Sequence, residues 1–195
     1  MILYPTETLY ALGVNALDEN ELEKLYMLKG RDRSKAVTWL VRSVQDIERY
    51  AEMNETALAI ASAFLPGKLT LVLPVRENVP KSFVATDGTV GFRISSDLVA
   101  QKVIAEFMDV HNAPLTCTSA NISTMETQST PAKIFEQFGE RKKLMTQVVD
   151  DGIRGGRAST IVRVVDDEVM ILREGDITKE EIDRTYKWVT QKVGP

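Results

Sequence analysis

Apolar positions along this chain follow two rhythms in turn. Short runs such as Leu69-Thr70-Leu71-Val72-Leu73 and Thr89-Val90-Gly91-Phe92-Arg93-Ile94 have strand character, being rich in branched and aromatic residues. Elsewhere apolar residues recur every three or four positions, which marks one face of a helix. Asp18, with Glu21 three residues on, predicts a capping box opening a helix, and Leu22, Leu25 and Tyr26 then share a face. That helix ends at Lys29, with Gly30 as a natural C-cap. Residues 36–41 predict a strand, 43–52 and 54–64 predict helices, and Pro66-Gly67 predicts a turn. Residues 98–109 predict a helix presenting Val99, Val103 and Phe107 on one face. Residues 159–165 and 168–172 predict a hairpin joined at Asp166-Asp167, and a closing helix spans about 178–191.

Strands alternating with helices imply an α/β class. No repeat, low-complexity tract or linker divides the chain, so it is expected to form a single domain over 1–195. The stretch 77–88 is polar and turn-rich, which suits a mobile loop, and 118–131 and 150–158 are long connections of the kind that carry function.

Composition narrows the class. Of 195 residues, 44% are hydrophobic and 27% charged, ordinary for a globular protein, and the net charge of −4 argues against a dedicated nucleic-acid binder. The single Cys117 allows no internal disulfide, and no Cys/His cluster suggests structural zinc. No apolar run reaches membrane-spanning length and no signal peptide is visible, so a cytoplasmic protein without membrane contact is expected.

Three polar constellations carry chemistry. Lys29-Gly30-Arg31 places two cations at a helix C-terminus, a pattern that fits either complementation of the helix dipole or a clamp for phosphate or carboxylate. Arg33 and Lys35 make this loop unusually basic for an acidic protein. Thr116 to Ser123 sets hydroxyls and an amide, notably Ser119 and Asn121, just past a strand end, where α/β proteins bind ligands. Gly155-Gly156-Arg157-Ala158-Ser159-Thr160 leads into the hairpin, whose open end would bring Ser159 beside Arg173. Cys117 reads as a buried structural thiol, and His111, beside Asn112 and Pro114, reads as a loop residue. No Ser-His-Asp set, Walker pattern or Rossmann fingerprint is present. Chemistry by positioning and electrostatics fits this inventory better than acid–base hydrolysis.

Taken in order, these segments resemble the YrdC-like family of threonylcarbamoyl-AMP synthases. The resemblance runs from Tyr4-Pro5-Thr6-Glu7-Thr8-Leu9-Tyr10-Ala11-Leu12-Gly13 through Lys29-Gly30-Arg31, Pro66-Gly67 with Leu69-Thr70, Val90-Gly91 with Arg93, and Ser119-Ala120-Asn121 to Ser159-Thr160 with Arg173. It implies a twisted mixed α/β sheet flanked by helices, with a concave ligand site. It also implies condensation of L-threonine, bicarbonate and ATP to threonylcarbamoyl-adenylate and pyrophosphate, for threonylcarbamoyladenosine modification of tRNA. By resemblance Thr8, Arg93, Ser119 and Ser159 face L-threonine. Lys29, Arg31, Thr89, Asn121, Ser129 and Arg173 face ATP, with Lys29 and Arg31 also acting in catalysis. Mg²⁺ would arrive with ATP, contact with tRNA would be indirect, and partner proteins would complete the modification. The sequence departs from the family pattern at Ala11, usually Gly, and at Asp32, Lys35 and Ala36, usually Pro, a polar residue and Pro. A non-catalytic RNA-binding module or a degenerate paralogue is therefore the alternative reading.

Overall fold

The period-two runs become strands that divide between two sheets. In the computed structural model, which describes residues 1–33, 35–166 and 168–192 and side chains as far as Tyr186, β1 (Ile2–Pro5) and β2 (Tyr10–Gly13) form an antiparallel hairpin. Then follow α1 (Glu19–Lys29), β3 (Trp39–Leu40), α2 (Val44–Glu48), α3 (Glu55–Phe64), β4 (Leu69–Pro74), β5 (Thr89–Arg93) and α4 (Leu98–His111). The remaining elements are β6 (Leu115–Thr116), β7 (Thr118–Ser119), α5 (Pro131–Phe138), β8 (Gln147–Val148), β9 (Thr160–Val165), β10 (Glu168–Arg173) and α6 (Lys179–Lys192). One sheet runs β7-β2-β1-β8 and the other β10-β9-β4-β5-β3-β6. Both mix parallel and antiparallel pairs: in the larger sheet β3–β5 and β4–β9 are parallel while β4–β5 and β9–β10 are antiparallel, and in the smaller β1–β8 is parallel and β1–β2 antiparallel.

The two sheets share one segment. The chain leaves the larger sheet at Thr116, passes through Cys117, and enters the smaller sheet at Thr118. Cys117 N–H donates to Thr38 O at 2.7 Å, and Tyr4 of β1 donates its hydroxyl to Thr116 O at 2.9 Å. A Cβ at Gly13 would fall 2.7 Å from Leu115 Cγ, so glycine lets β2 approach β6 this closely. Alternation along β1 then sends Leu3 to one apolar cluster and Tyr4 to the other. The cluster containing Leu3 is roofed by Leu22, Leu25 and Leu28 of α1 and by Ile134 and Phe138 of α5. The larger one holds Trp39, edge-on to Phe92 and Tyr50 at 5.7 and 5.6 Å, and Ile182 of α6.

The helix α1 forms where its signals place it, yet only half of the expected capping box does. Asp18 accepts from Glu21 N–H at 3.0 Å, while Asp18 N–H donates to Asn15 O and the Glu21 carboxylate turns to Lys24 and the N-terminal ammonium. In α4 the buried stripe is Ala100, Ile104 and Met108, one position beyond the expected Val99, Val103 and Phe107, which flank it half-buried. His111 is not a loop residue: it is the last residue of α4, exposed, with its ring 4.3 Å from that of Phe107. The expected strand at 36–41 shortens to Trp39–Leu40, and the helix expected at 43–52 to Val44–Glu48. The hairpin β9–β10 is in place; Asp167 of its turn lies outside the described residues.

Candidate functional site

Segments far apart in sequence close around one cavity of about 290 Å³. The β1–β2 turn brings Thr8, the strand β5 ends in Arg93, β7 ends in Ser119, and Ser159 and Arg173 stand at the open end of the β9–β10 hairpin. All five line the cavity, as does Arg31 from the loop after α1. The cavity adjoins a second of about 420 Å³ through shared walls at Arg31, Thr38, Thr70 and Ile161, and Thr89 lines that second space. A larger groove of about 440 Å³ between α1 and Ser82-Phe83-Val84 holds none of these residues except the start of the same basic loop at Arg33 and Ala36.

The polar contacts are local in origin and long in range. Thr6 folds the β1–β2 turn by accepting from the backbone N–H groups of Thr8 and Leu9, each at 3.2 Å. This presents Thr8 Oγ1 to Arg93 Nη2 at 2.8 Å, and the same nitrogen donates to Glu7 Oε1 at 2.9 Å. Ser95 donates to the other Glu7 oxygen, so both carboxylate oxygens are engaged. The Arg93 Nε–H, however, is buried and lacks a partner among the described residues. Such a group is costly to leave unpaired and suits an incoming acceptor. Arg173 donates twice to Ser159 O, at 3.0 and 2.8 Å, and once to Ser159 Oγ at 3.3 Å, while Thr70 Oγ1 lies 2.9 Å from Ser159 Oγ.

Lys29 and Asn121 sit behind this lining rather than in it. Lys29 is 2% exposed at the end of α1. Its Nζ donates to Ser119 O, to Asn121 O at 2.8 Å and to Asn121 Oδ1 at 3.4 Å. Burial, with Arg31 nearby, pushes its pKa down to about 7. Gly30 in the left-handed conformation turns the chain so that Arg31 faces the cavity while Lys29 faces the turn. Arg31 donates from Nε to Lys35 O at 3.2 Å and from Nη2 to Ala36 O at 2.9 Å, so the basic loop folds back onto it. Arg33 instead pairs with Glu23 of α1 and is exposed. Ser129 lines neither cavity; its carbonyl accepts from Arg154 N–H at 2.8 Å.

Cys117 lines the cavity, and burial pushes its thiol up, away from the reactive thiolate. Burial likewise lowers the pKa of Arg31 and of Arg173, the latter further through Arg93. Residue-level reading missed Thr38 and Thr70, and gave Glu7 no role. A lone threonine inside Leu69-Thr70-Leu71 was the available signal, because a hydroxyl in an apolar strand needs a partner.

Known proteins resemble this chain over most of its length. The family model named for Sua5, YciO and YrdC, described as telomere recombination, matches residues 1–175. A Methanocaldococcus jannaschii protein provisionally named threonylcarbamoyl-AMP synthase is 36% identical over 94% of this chain and 84% of its own length. The threonylcarbamoyl-AMP synthase of Pyrococcus abyssi is 33% identical over 94% of this chain and 53% of its own. The crystal structure of Pyrococcus abyssi Sua5 complexed with L-threonine superposes with a TM-score of 0.84 at 31% identity, covering 95% of this chain and 53% of that one. The chain thus spans about half the length of the Pyrococcus protein.

Proposed function

Because the chain belongs to the Sua5/YciO/YrdC family, we propose that it is a threonylcarbamoyl-AMP synthase, condensing L-threonine, bicarbonate and ATP to threonylcarbamoyl-adenylate and pyrophosphate. The observation that carries this reading is the convergence of Thr8, Arg93, Ser119 and Ser159 on one small cavity ringed by guanidiniums. The name of the Pyrococcus complex with L-threonine supports an amino acid as occupant.

The carboxylate of threonine would take the unpaired Arg93 Nε–H, and the hydroxyls of Thr8, Ser119 and Ser159 would orient the rest of the molecule. ATP would enter from the adjoining space, which Arg31 and Thr89 line, with its phosphates toward Arg31 and toward Arg173 of the first cavity. Guanidiniums fit phosphate oxygens bidentately and repel a bare cation, so Mg²⁺ would arrive on the nucleotide. Attack of a carbamate oxygen on the α-phosphorus asks for charge neutralisation and alignment, which three arginines and a hydroxyl-lined wall supply. Lys29 would act indirectly by holding the Ser119–Asn121 turn, and Ser129 takes no place in this scheme.

The product would feed tRNA modification in the cytoplasm through partner proteins. No helix among the described residues is long and apolar enough to cross a membrane. A non-catalytic RNA-binding module gains no support from a chain of net charge −4 whose arginines converge on a cavity this small. The test is pyrophosphate release from ATP that requires both L-threonine and bicarbonate. Release independent of threonine would end this reading.

A further inference from the structure

The cavity has an unusual charge balance. Among the described residues three guanidiniums line it, Arg31 from the loop after α1, Arg93 from β5 and Arg173 from β10, and no carboxylate does. The nearest acidic group, Glu7, has one oxygen on Arg93 and the other on Ser95. Of the other titratable side chains in the wall, Cys117 is held as a neutral thiol by burial, and Tyr10 turns its hydroxyl to Gly152 O and Asp150. Behind the wall, Lys29 adds positive charge as its ammonium and none as its amine, burial having pushed its pKa down to about 7. Asp87, in the adjoining space, is engaged by Thr89 and Arg163.

A zwitterionic amino acid entering here satisfies the arginines with its carboxylate, but its ammonium group meets a field that remains positive. From the geometry we infer that the pocket takes the amino acid as its free-amine anion, releasing the ammonium proton to solvent on binding. This deepens the synthase reading and rests on it. The free amine is the form that can react: RNH₂ + HCO₃⁻ gives RNHCOO⁻ + H₂O. The nitrogen lone pair forms the new N–C bond, and one bicarbonate oxygen leaves as water. A charge at hydrogen-bonding range displaces a titration by roughly 1–3 pH units, downward for an ammonium among cations, and the α-ammonium of a free amino acid starts above the peptide value of about 8 because its own carboxylate holds the proton. Binding itself would thus perform the deprotonation, which accounts for a site with no general base in its wall.

Calorimetric titration of L-threonine into the whole protein, without nucleotide, tests this. At pH 7, heats in Pipes and Tris buffers should differ in proportion to the protons released, up to one per threonine bound. Kd should fall as pH rises from 6 to 9, by up to about tenfold per unit where the pH lies between the titration of the bound amine and that of the free one. The α-hydroxy analogue 2,3-dihydroxybutanoate, which has no amine, should show only the proton exchange and pH dependence that Lys29 contributes. Threonine binding that matches the analogue in proton release and in pH profile would overturn this inference and leave the synthase reading standing. Absence of threonine binding at every pH would overturn both.

Discussion

Glu7 Oε1 lies 2.9 Å from Arg93 Nη2, joining the first turn of the smaller sheet to the end of β5 in the larger one. Both side chains are nearly buried, at 11% and 8% exposure. Removing one member leaves an uncompensated buried charge, a loss of about 3–5 kcal/mol. Glu7→Ala should lower unfolding free energy by that amount in urea titration. Glu7→Gln, which keeps an acceptor for Arg93, should lose less. Equal losses would show that the charge, not the acceptor, holds Arg93.

Arg31 and Arg33 share one basic loop but not one fate. Arg31 lines the cavity, and Arg33 pairs with Glu23 in solvent. A charge-assisted bond to phosphate contributes roughly 1.5–3 kcal/mol, whereas an exposed pair contributes about 0–1. Arg31→Ala should reduce kcat/KM at least about tenfold, and Arg33→Ala by less than about threefold, in steady-state pyrophosphate release. Similar losses would reduce the site to a diffuse basic patch.

Lys29 gives the protein a pH signature. Its pKa is pushed down to about 7 by burial and by Arg31. Unfolded, it titrates near the ordinary lysine value of about 10.4. Between these values the unfolded chain binds the extra proton, so stability should rise with pH from about 7 toward 10 and level off below 7. Subtracting the profile of Lys29→Met from that of the parent isolates this contribution. A flat difference across that window would mean that the carbonyls of Ser119 and Asn121 hold the ammonium form as firmly as water does.

Cys117 should be chemically idle. Its thiol is buried, held protonated, and assigned no covalent step. Cys117→Ser should retain pyrophosphate release within a few-fold. Loss of activity in a folded variant would point to a thiolate mechanism.

Much of this architecture could be read locally. Asp18, Asn54 and Asp97 each cap a helix, and Gly30 ends one in the left-handed conformation that its lack of a Cβ permits. Neighbouring residues determine such features. The split into two sheets could not be read so, because β6 and β7 are two residues each and take their partners from opposite sides of the fold. The same limit applies to the site. That Lys29 would bond the Ser119–Asn121 turn depends on contacts 90 and 92 residues apart. Helix C-terminal cations looked alike in sequence; only the turn at Gly30 separates an inward Lys29 from a cavity-facing Arg31.

The passage of the chain through Cys117 from one sheet to the other has a kinetic consequence. Arg93 meets Glu7 across 86 residues, Tyr4 meets Thr116 across 112, and Tyr10 meets Gly152 across 142. Closing such loops is slow, and none of these contacts forms within a single local unit. The pocket is therefore expected to complete late in folding, when both sheets have docked, and a ligand should bind only molecules in which they have.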